Sequence, residues 1–261
     1  MQLTSVKNPL LQNIRMAAAA GRLTEQGLVV AEGPHLLKEA LRGEWRVEQV
    51  LTTADGRDRY TNLLRGVDAE VLELSSRAFA SIAATETTQE VMALVRPREW
   101  SWGDLMSSST LLVALDGIQD PGNAGTIVRS AEAFGAAGVI FLRGCSRVSN
   151  GKLLRATAGS IFRMPFLEEV TPGFFVEQIR RFGLTLYALA AQAETSLTDA
   201  DFRGACALAV GNEARGLSPE LVPQANAISI STAKVESLNA AIACSIALFE
   251  AQRQRNKREP I

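Results

Sequence analysis

Three polar, glycine-bearing segments carry the residue types that could do chemistry. Residues 116–129, D-G-I-Q-D-P-G-N-A-G-T-I-V-R, offer a carboxamide at Asn123 and a guanidinium at Arg129. Residues 210–221, V-G-N-E-A-R-G-L-S-P-E-L, hold the carboxylate of Glu213 between Gly211 and Gly216. Residues 228–250 begin I-S-I-S-T-A-K-V-E-S-L-N-A-A and bring Ser237 and Asn239 to the start of a helical stretch, where exposed N–H groups also favour bound anions. Such groups orient a hydroxyl or an anion. Taken singly, each segment also reads as ordinary punctuation: Gly122 and Gly125 as a turn, Asn123 as a helix cap with Arg129 about one turn further in and in a surface ion pair, Glu213 as a turn-forming group.

Other chemistries find little support. The chain has one histidine, His35, and its cysteines, Cys145, Cys206 and Cys244, lie far apart without CxxC spacing, so a zinc site of the usual ligands is not expected and no metal is assigned. Neither G-x-G-x-x-G nor G-K-[ST] occurs, which removes the common dinucleotide and P-loop signatures. A hydrolase dyad built on His35 lacks a G-x-S-x-G elbow, and His35 is read as a partly buried helix residue. With 27 Lys+Arg against 28 Asp+Glu and a net charge of −1, any polyanion must be met by a local patch. Residues 143–163 supply one: Arg143, Arg147, Lys152, Arg155 and Arg163, with no acidic group among them. As bare composition, that stretch is equally a solvated loop, and the R-Q-R-N-K-R-E tail a solvated helix end.

The elements that must position these groups fall into two halves. Residues 27–96 alternate β-type runs (GLVVAEG, VEQVLTT, AEVLELS, EVMALVRP) with helix-like stretches, among them PHLLKEALR, with Pro34 suited to a first turn. Pro97, Trp100, Trp102, Gly103 and the run SSST interrupt the pattern, giving a domain over residues 1–98, a linker over 99–109 and a second domain over 110–261. From Leu111 onward the strands LLVALD, GVIFL, LTLYALA, ALAVG and ISIS alternate with helical stretches, one expected to begin at Ser218-Pro219. The α/β alternation predicts a mainly parallel sheet covered on both faces, with ligands beyond the carboxyl ends of its strands. Leu238, Ile242, Ser245 and Phe249 recur at helical spacing among small residues, which predicts close packing of the last helix. The first residues, MQLTSVKNPL, contain no apolar signal region and no run approaches a membrane span, so a reduced, cytoplasmic, soluble protein is the expectation.

In this order, N-x5-R, G-N-E-x-x-G-L-S and V-E-S-L-N-A-A resemble the three motifs of the SpoU family of RNA ribose methyltransferases, within the SPOUT class. Residues 151–162, G-K-L-L-R-A-T-A-G-S-I-F, look like the family's K-x-x-R-A-S-x-G-S segment. The amino-terminal S-x-K-N-P and V-V-A-E-G-P-H-L-L-K-E-A are similar to the substrate-binding domain often joined to it, a small α/β module related to the L30e/L7Ae ribosomal-protein fold.

The resemblance implies a carboxyl-terminal α/β domain tied in a deep trefoil knot, which periodicity alone could not propose. It implies S-adenosyl-L-methionine as cofactor, a ribose 2′-hydroxyl of ribosomal RNA, 23S rRNA foremost, as methyl acceptor, and a homodimer through the knot domain. Carried over by motif, Asn123, Arg129, Glu213, Ser237 and Asn239 form the catalytic set, backbone near Leu189, Gly211, Ile230 and Leu238 holds the cofactor, and Lys152, Arg155 and Ser160 face the RNA. The chemistry suits a chain with one histidine, because a sulfonium leaves as a neutral thioether without an acid. Orientation can then contribute ~7 to 11 kcal/mol. A guanidinium is a poor general base, so the arginine's firmer role is hydrogen bonding. The same reaction on transfer RNA, and a silent RNA-binding knot protein, are the alternatives. In the family, motif three usually reads I-P-M/L and then a glycine-containing turn; here Ile230-Ser231-Thr232-Ala233-Lys234 lacks both and is one residue shorter.

Overall fold

The computed structural model describes residues 2–85, 88–107, 109–212 and 214–256. The chain divides into two compact units, residues 1–99 with 147–163, and residues 100–146 with 164–261.

In the first unit, strands β1 (Gln2–Leu3), β2 (Val29–Glu32), β3 (Arg46–Thr52), β4 (Glu70–Leu74) and β5 (Val91–Arg96) form a mixed sheet in the order β1-β4-β3-β5-β2. The helix Pro9–Ala20 begins at the S-x-K-N-P motif for a local reason: Asn8 Oδ1 accepts from Leu10 N at 2.9 Å and Pro9 is pre-set for a first turn. It ends at Gly21, whose φ of 59° a side chain would strain. Leu11, Ile14, Leu51, Leu74, Phe79 and Met92 make its core. Glu32 is buried because its carboxylate accepts from Ala84 N at 2.9 Å and Thr85 Oγ1 at 2.5 Å, which gives the E of V-V-A-E-G-P a structural role.

Residues 147–163 pack with this first unit although they follow β7 in the chain. Ser149 Oγ donates to Gly21 O at 2.7 Å, Arg163 Nη1 lies 2.6 Å from Glu39 Oε2, and the Phe162 and Trp45 rings meet edge to face at 5.0 Å. His35 lies on the helix Pro34–Ala40 as expected, but it is exposed rather than partly buried. Its ring lies 3.2 Å from Ala158 O.

In the second unit, β6 (Leu111–Asp116), β7 (Gly138–Leu142), β8 (Phe166–Val170), β9 (Thr185–Leu189), β10 (Thr195–Ser196), β11 (Cys206–Gly211) and β12 (Asn226–Ser229) make one seven-stranded sheet in the order β10-β12-β9-β11-β6-β7-β8. Every pairing is parallel, as the alternation predicts. Leu112, Ala114, Ile140 and Leu142 pack against Phe175, Val176 and Ile179 of the helix Pro172–Arg181. The alternate residues Val113 and Leu115 face the other way and are equally buried, so both faces are covered and these strands read as unbroken apolar runs.

The stretch read as a linker contains a short helix. Ser101 and Asp104 form a capping box for the helix Trp102–Leu105, and the Trp102 ring lies 6.2 Å from Phe174 and 6.3 Å from Phe175. The last helix, Ala240–Asn256, buries its small residues Ala240, Ala241, Cys244 and Ala247, whereas Ile242 and Phe249 are each 54% exposed; close packing belongs to the small face. At its end, Arg255 donates to the carbonyls of Phe202 and Gly204, both at 2.8 Å, and to that of Ser109. That arginine of the basic tail therefore closes the fold, while residues 257–261 lie outside the described ones.

Candidate active site

The three polar segments leave the sheet from the carboxyl ends of β6, β11 and β12, and side-chain hydrogen bonds fasten the first of them to each of the other two. Asp116, the last residue of β6, is buried, and its carboxylate accepts from Ser218 N at 2.5 Å and Ser218 Oγ at 2.7 Å. Asn212 Nδ2 donates to Gly117 O at 3.0 Å, and its Oδ1 accepts from Ala214 N at 2.9 Å and Arg215 N at 3.2 Å. One carboxamide thus folds its own turn and ties it to the neighbouring loop. Asn239 Nδ2 donates to Asn123 Oδ1 at 3.0 Å, linking the first segment to the third. Ser130 and Ser245 hydroxyls meet at 2.7 Å and join the two helices behind them.

Backbone geometry explains the glycines. An added Cβ at Gly211 would lie 2.5 Å from the carbonyl carbon of Gly216, so no side chain fits where the turn closes on β11. Asn212 N and Gly216 O meet at 3.1 Å, and Gly216 N and Asn212 O at 2.8 Å. Gly122 belongs instead to the helix Pro121–Ala133, and Gly125 is buried within it. That helix starts earlier than expected because Asp120 is its cap, accepting from Asn123 N at 2.8 Å, with Pro121 at the first position. Asn123 is therefore in the first turn rather than capping it, and Arg129 lies in the third turn, exposed, with no ion pair to the described residues. The helix expected at Pro219 is a turn followed by a single 3-10 turn, Val222–Gln224. Ser218 Oγ donates to Asp116, outside its own segment.

A cavity of about 540 Å³ opens against the second and third segments and the end of β9, within the range of small-molecule sites. Leu189, Gly211, Ile230 and Leu238 all line it, together with Ser237, so five residues singled out in the sequence converge on one space from the end of β9 and from the second and third segments. Ala188, Val210, Ala227, Ile228 and Ala243 add apolar wall of the kind that accepts a flat heterocycle. Asn212, Gln192, Thr232 and Glu236 supply polar side chains at the wall, and the strand ends supply backbone donors and acceptors. Asn123 and Asn239 are bonded to one another and do not line the cavity, and neither does Arg129. Asn239 Oδ1 also caps the last helix through Ala241 N at 2.9 Å. Glu213 lies outside the described residues.

Motif three closes without its proline and glycine. Thr232 Oγ1 donates to Val235 O at 2.5 Å, which turns the short loop and leaves Ile230 on the cavity wall. Lys152 and Arg155 are exposed on the helix Gly151–Ala156. Ser160, expected to face RNA, is instead 4% exposed in the turn Ser160–Phe162, so its hydroxyl is not presented to solvent. Arg163 is drawn to Glu39, which leaves Arg143, Arg147, Lys152 and Arg155 as the exposed cations of that stretch. Sequence reasoning missed Asp116, Asn212 and Ser218 as the residues that bind the segments together. All three stood within the motifs, but their partners are about a hundred residues away in the chain.

The model of the SpoU rRNA Methylase family matches residues 110–249, and that of the MRM3-like substrate binding domain matches residues 19–93. The 23S rRNA (guanosine(2553)-2'-O)-methyltransferase RlmP of Bacillus subtilis is 29% identical over 95% of this chain and 98% of its own. An uncharacterized tRNA/rRNA methyltransferase of Synechocystis, slr1673, is 32% identical over 97% of this chain and 94% of its own. The crystal structure of the SpoU methyltransferase AviRb from Streptomyces viridochromogenes in complex with AdoMet superposes with a TM-score of 0.86 at 26% identity, covering 96% of this chain and 99% of that one.

Proposed function

The chain belongs to the SpoU rRNA methylase family, and from that premise we propose that it is an S-adenosyl-L-methionine-dependent methyltransferase of a ribose 2′-hydroxyl in ribosomal RNA, with 23S rRNA the favoured molecule. One observation carries this reading: Leu189, Gly211, Ile230, Ser237 and Leu238, drawn from three separate stretches of the chain, line a single cavity at the carboxyl ends of a parallel sheet. Its size, apolar slot and polar rim fit a nucleoside-bearing cofactor. When bound, that cofactor supplies an electrophilic methyl carbon on a cationic sulfur.

The protein's own groups then have an orienting task. The Asn123–Asn239 bond fixes the start of one helix against the start of another. Arg129, exposed on the first of those helices, offers a planar set of donors to the ribose oxygen or a neighbouring phosphate and holds it rather than taking its proton. Glu213 keeps the place in the catalytic set that its motif assigns. Ser237 lines the cavity, and its hydroxyl is available there to donate to the cofactor. Lys152 and Arg155 contact RNA phosphate, and Ser160 holds their turn from inside.

The finer features of the family belong to the same proposal: a trefoil knot in the second unit, a homodimer and a cytoplasmic site of action. The half-exposed Ile242 and Phe249 on the last helix support a second copy as partner. No described helix is long and apolar enough to cross a membrane. The tRNA/rRNA wording attached to the Synechocystis relative keeps transfer RNA as the alternative substrate.

Mapping 2′-O-methylation across ribosomal and transfer RNA in cells with and without the gene tests the reading. Loss of one ribosomal site on deletion, restored by the wild-type gene, is the expected result. Loss confined to a transfer RNA position would shift the substrate, and an unchanged methylation map would end the enzyme assignment.

A further inference from the structure

Glu236 sits in the V-E-S-L-N motif, yet the catalytic set does not use it. It is the one ionisable side chain among the described residues that line the cavity; the other polar groups there, Gln192, Asn212, Thr232 and Ser237, are neutral. Its place on the wall follows from the loop, since the Thr232 Oγ1 bond to Val235 O turns the chain immediately before it. Glu236 forms no ion pair with the described residues, and Lys234, two positions earlier, does not line the cavity. Among the described residues, the wall therefore carries a single negative charge and no cation to balance it.

Charge is what distinguishes the two ligands that such a pocket must exchange in each turnover. S-adenosylmethionine bears a sulfonium, an ammonium and a carboxylate, for a net charge of +1. In transfer, the sulfur–methyl bond breaks with its electron pair left on sulfur, the methyl carbon bonds to the ribose oxygen, and that hydroxyl's proton passes to water. The spent cofactor, S-adenosylhomocysteine, is a thioether with net charge zero. Size, base and ribose are the same in both, so apolar walls and backbone hydrogen bonds treat them nearly alike, whereas an unbalanced carboxylate does not.

We propose that Glu236 is a specificity-determining residue that makes the cavity prefer the cationic methyl donor over its neutral product and so favours product exchange. The inference rests on the cofactor reading given above. Because Glu236 is exposed, water screens it, and a unit-charge interaction at such a wall corresponds to about three- to tenfold in affinity.

Titration calorimetry on the full chain, wild type and Glu236→Gln, tests this with three probes: S-adenosylmethionine, S-adenosylhomocysteine, and sinefungin, which carries an ammonium where the sulfonium would be. The expected result is that the variant loses about three- to tenfold for the two cationic probes, keeps its affinity for S-adenosylhomocysteine, and shows this difference fading as salt is raised. Equal weakening of all three would make Glu236 a loop-shaping residue and overturn the proposal. Unchanged affinities for all three would overturn it as well. Should none of the probes bind wild-type protein, the cofactor reading itself falls and takes this inference with it, a result distinct from binding without selectivity.

Discussion

The carboxamide of Asn239 works at both ends: Nδ2 donates to Asn123 Oδ1 at 3.0 Å, while Oδ1 accepts from Ala241 N at 2.9 Å and caps the last helix. The two functions are separable by chemistry. Asn239→Asp keeps the capping oxygen but sets a carboxylate against Asn123 Oδ1, so the melting temperature should stay near wild type while methyl transfer falls by at least about tenfold, a barrier rise of ~1.4 kcal/mol. Asn239→Ala should lose the transfer and also ~1 kcal/mol of stability from the cap. Thermal unfolding beside a methylation assay checks both. An Asp variant with full turnover would show that the bond to Asn123 has no part in positioning.

Asp116 and Ser218 stand 102 residues apart, and their paired hydrogen bonds are the stitch between the first two segments. Removing the hydroxyl in Ser218→Ala leaves a buried carboxylate with one partner fewer, a loss of ~1.5 to 3 kcal/mol for a bond to a charged group. The urea midpoint should fall with the slope unchanged, since the same surface is exposed on unfolding. A midpoint equal to wild type would mean that the pair adds nothing to the fold.

How much of this was legible in the sequence turns on where each residue's partner lies. The β6, β7, β9 and β11 cores were readable because Val, Leu, Ile and Ala runs flanked by glycine and polar residues need no distant information. The cavity residues came through a motif resemblance, and they line one cavity. The misreadings share one cause. Ser218-Pro219 carries a local helix-start signature, but a turn bonded to Asp116 forms there; Ile242 and Phe249 look like a buried stripe, but the alanine face packs. In each, a tertiary partner overrides a local preference that a single chain displays plainly.

Arg129 projects from the third turn of its helix, exposed and free of ion pairs with the described residues, so removing it costs the fold little. Arg129→Ala should reduce methyl transfer by about 10² or more, as expected for a lost orienting group, while calorimetric binding of S-adenosylmethionine stays within about twofold. Retention of most turnover would remove Arg129 from the mechanism.

Lys152 and Arg155 share the exposed side of a short helix whose Leu153 and Leu154 are buried. If they meet phosphate, Lys152→Ala with Arg155→Ala should weaken RNA binding about equally for all sequences. It should also flatten the plot of log affinity against log salt by up to about two units for two lost contacts. Filter binding between low and moderate salt measures this. An unchanged slope would return those cations to solvent.

Burial pushes the Cys145 thiol from an ordinary 9.0 up to about 11, although backbone groups of Ile118, Gly117 and Leu142 pull the other way; Sγ donates to Leu115 O at 3.1 Å, a bond that needs the proton. Cys206 and the wholly buried Cys244 are raised for the same reason. The folded protein therefore keeps these protons at pH values where the unfolded chain has released them. That contribution to stability is complete below about pH 9 and is lost as pH climbs toward 11. Two measurements follow from one cause. At pH 8 the native protein should resist alkylation by iodoacetamide while urea-unfolded protein takes up three labels, one for each of its three cysteines. Between pH 9 and 10.5 the urea midpoint should drop less steeply for Cys145→Ala than for wild type. Parallel declines would show that Cys145 is not held as a thiol by the fold.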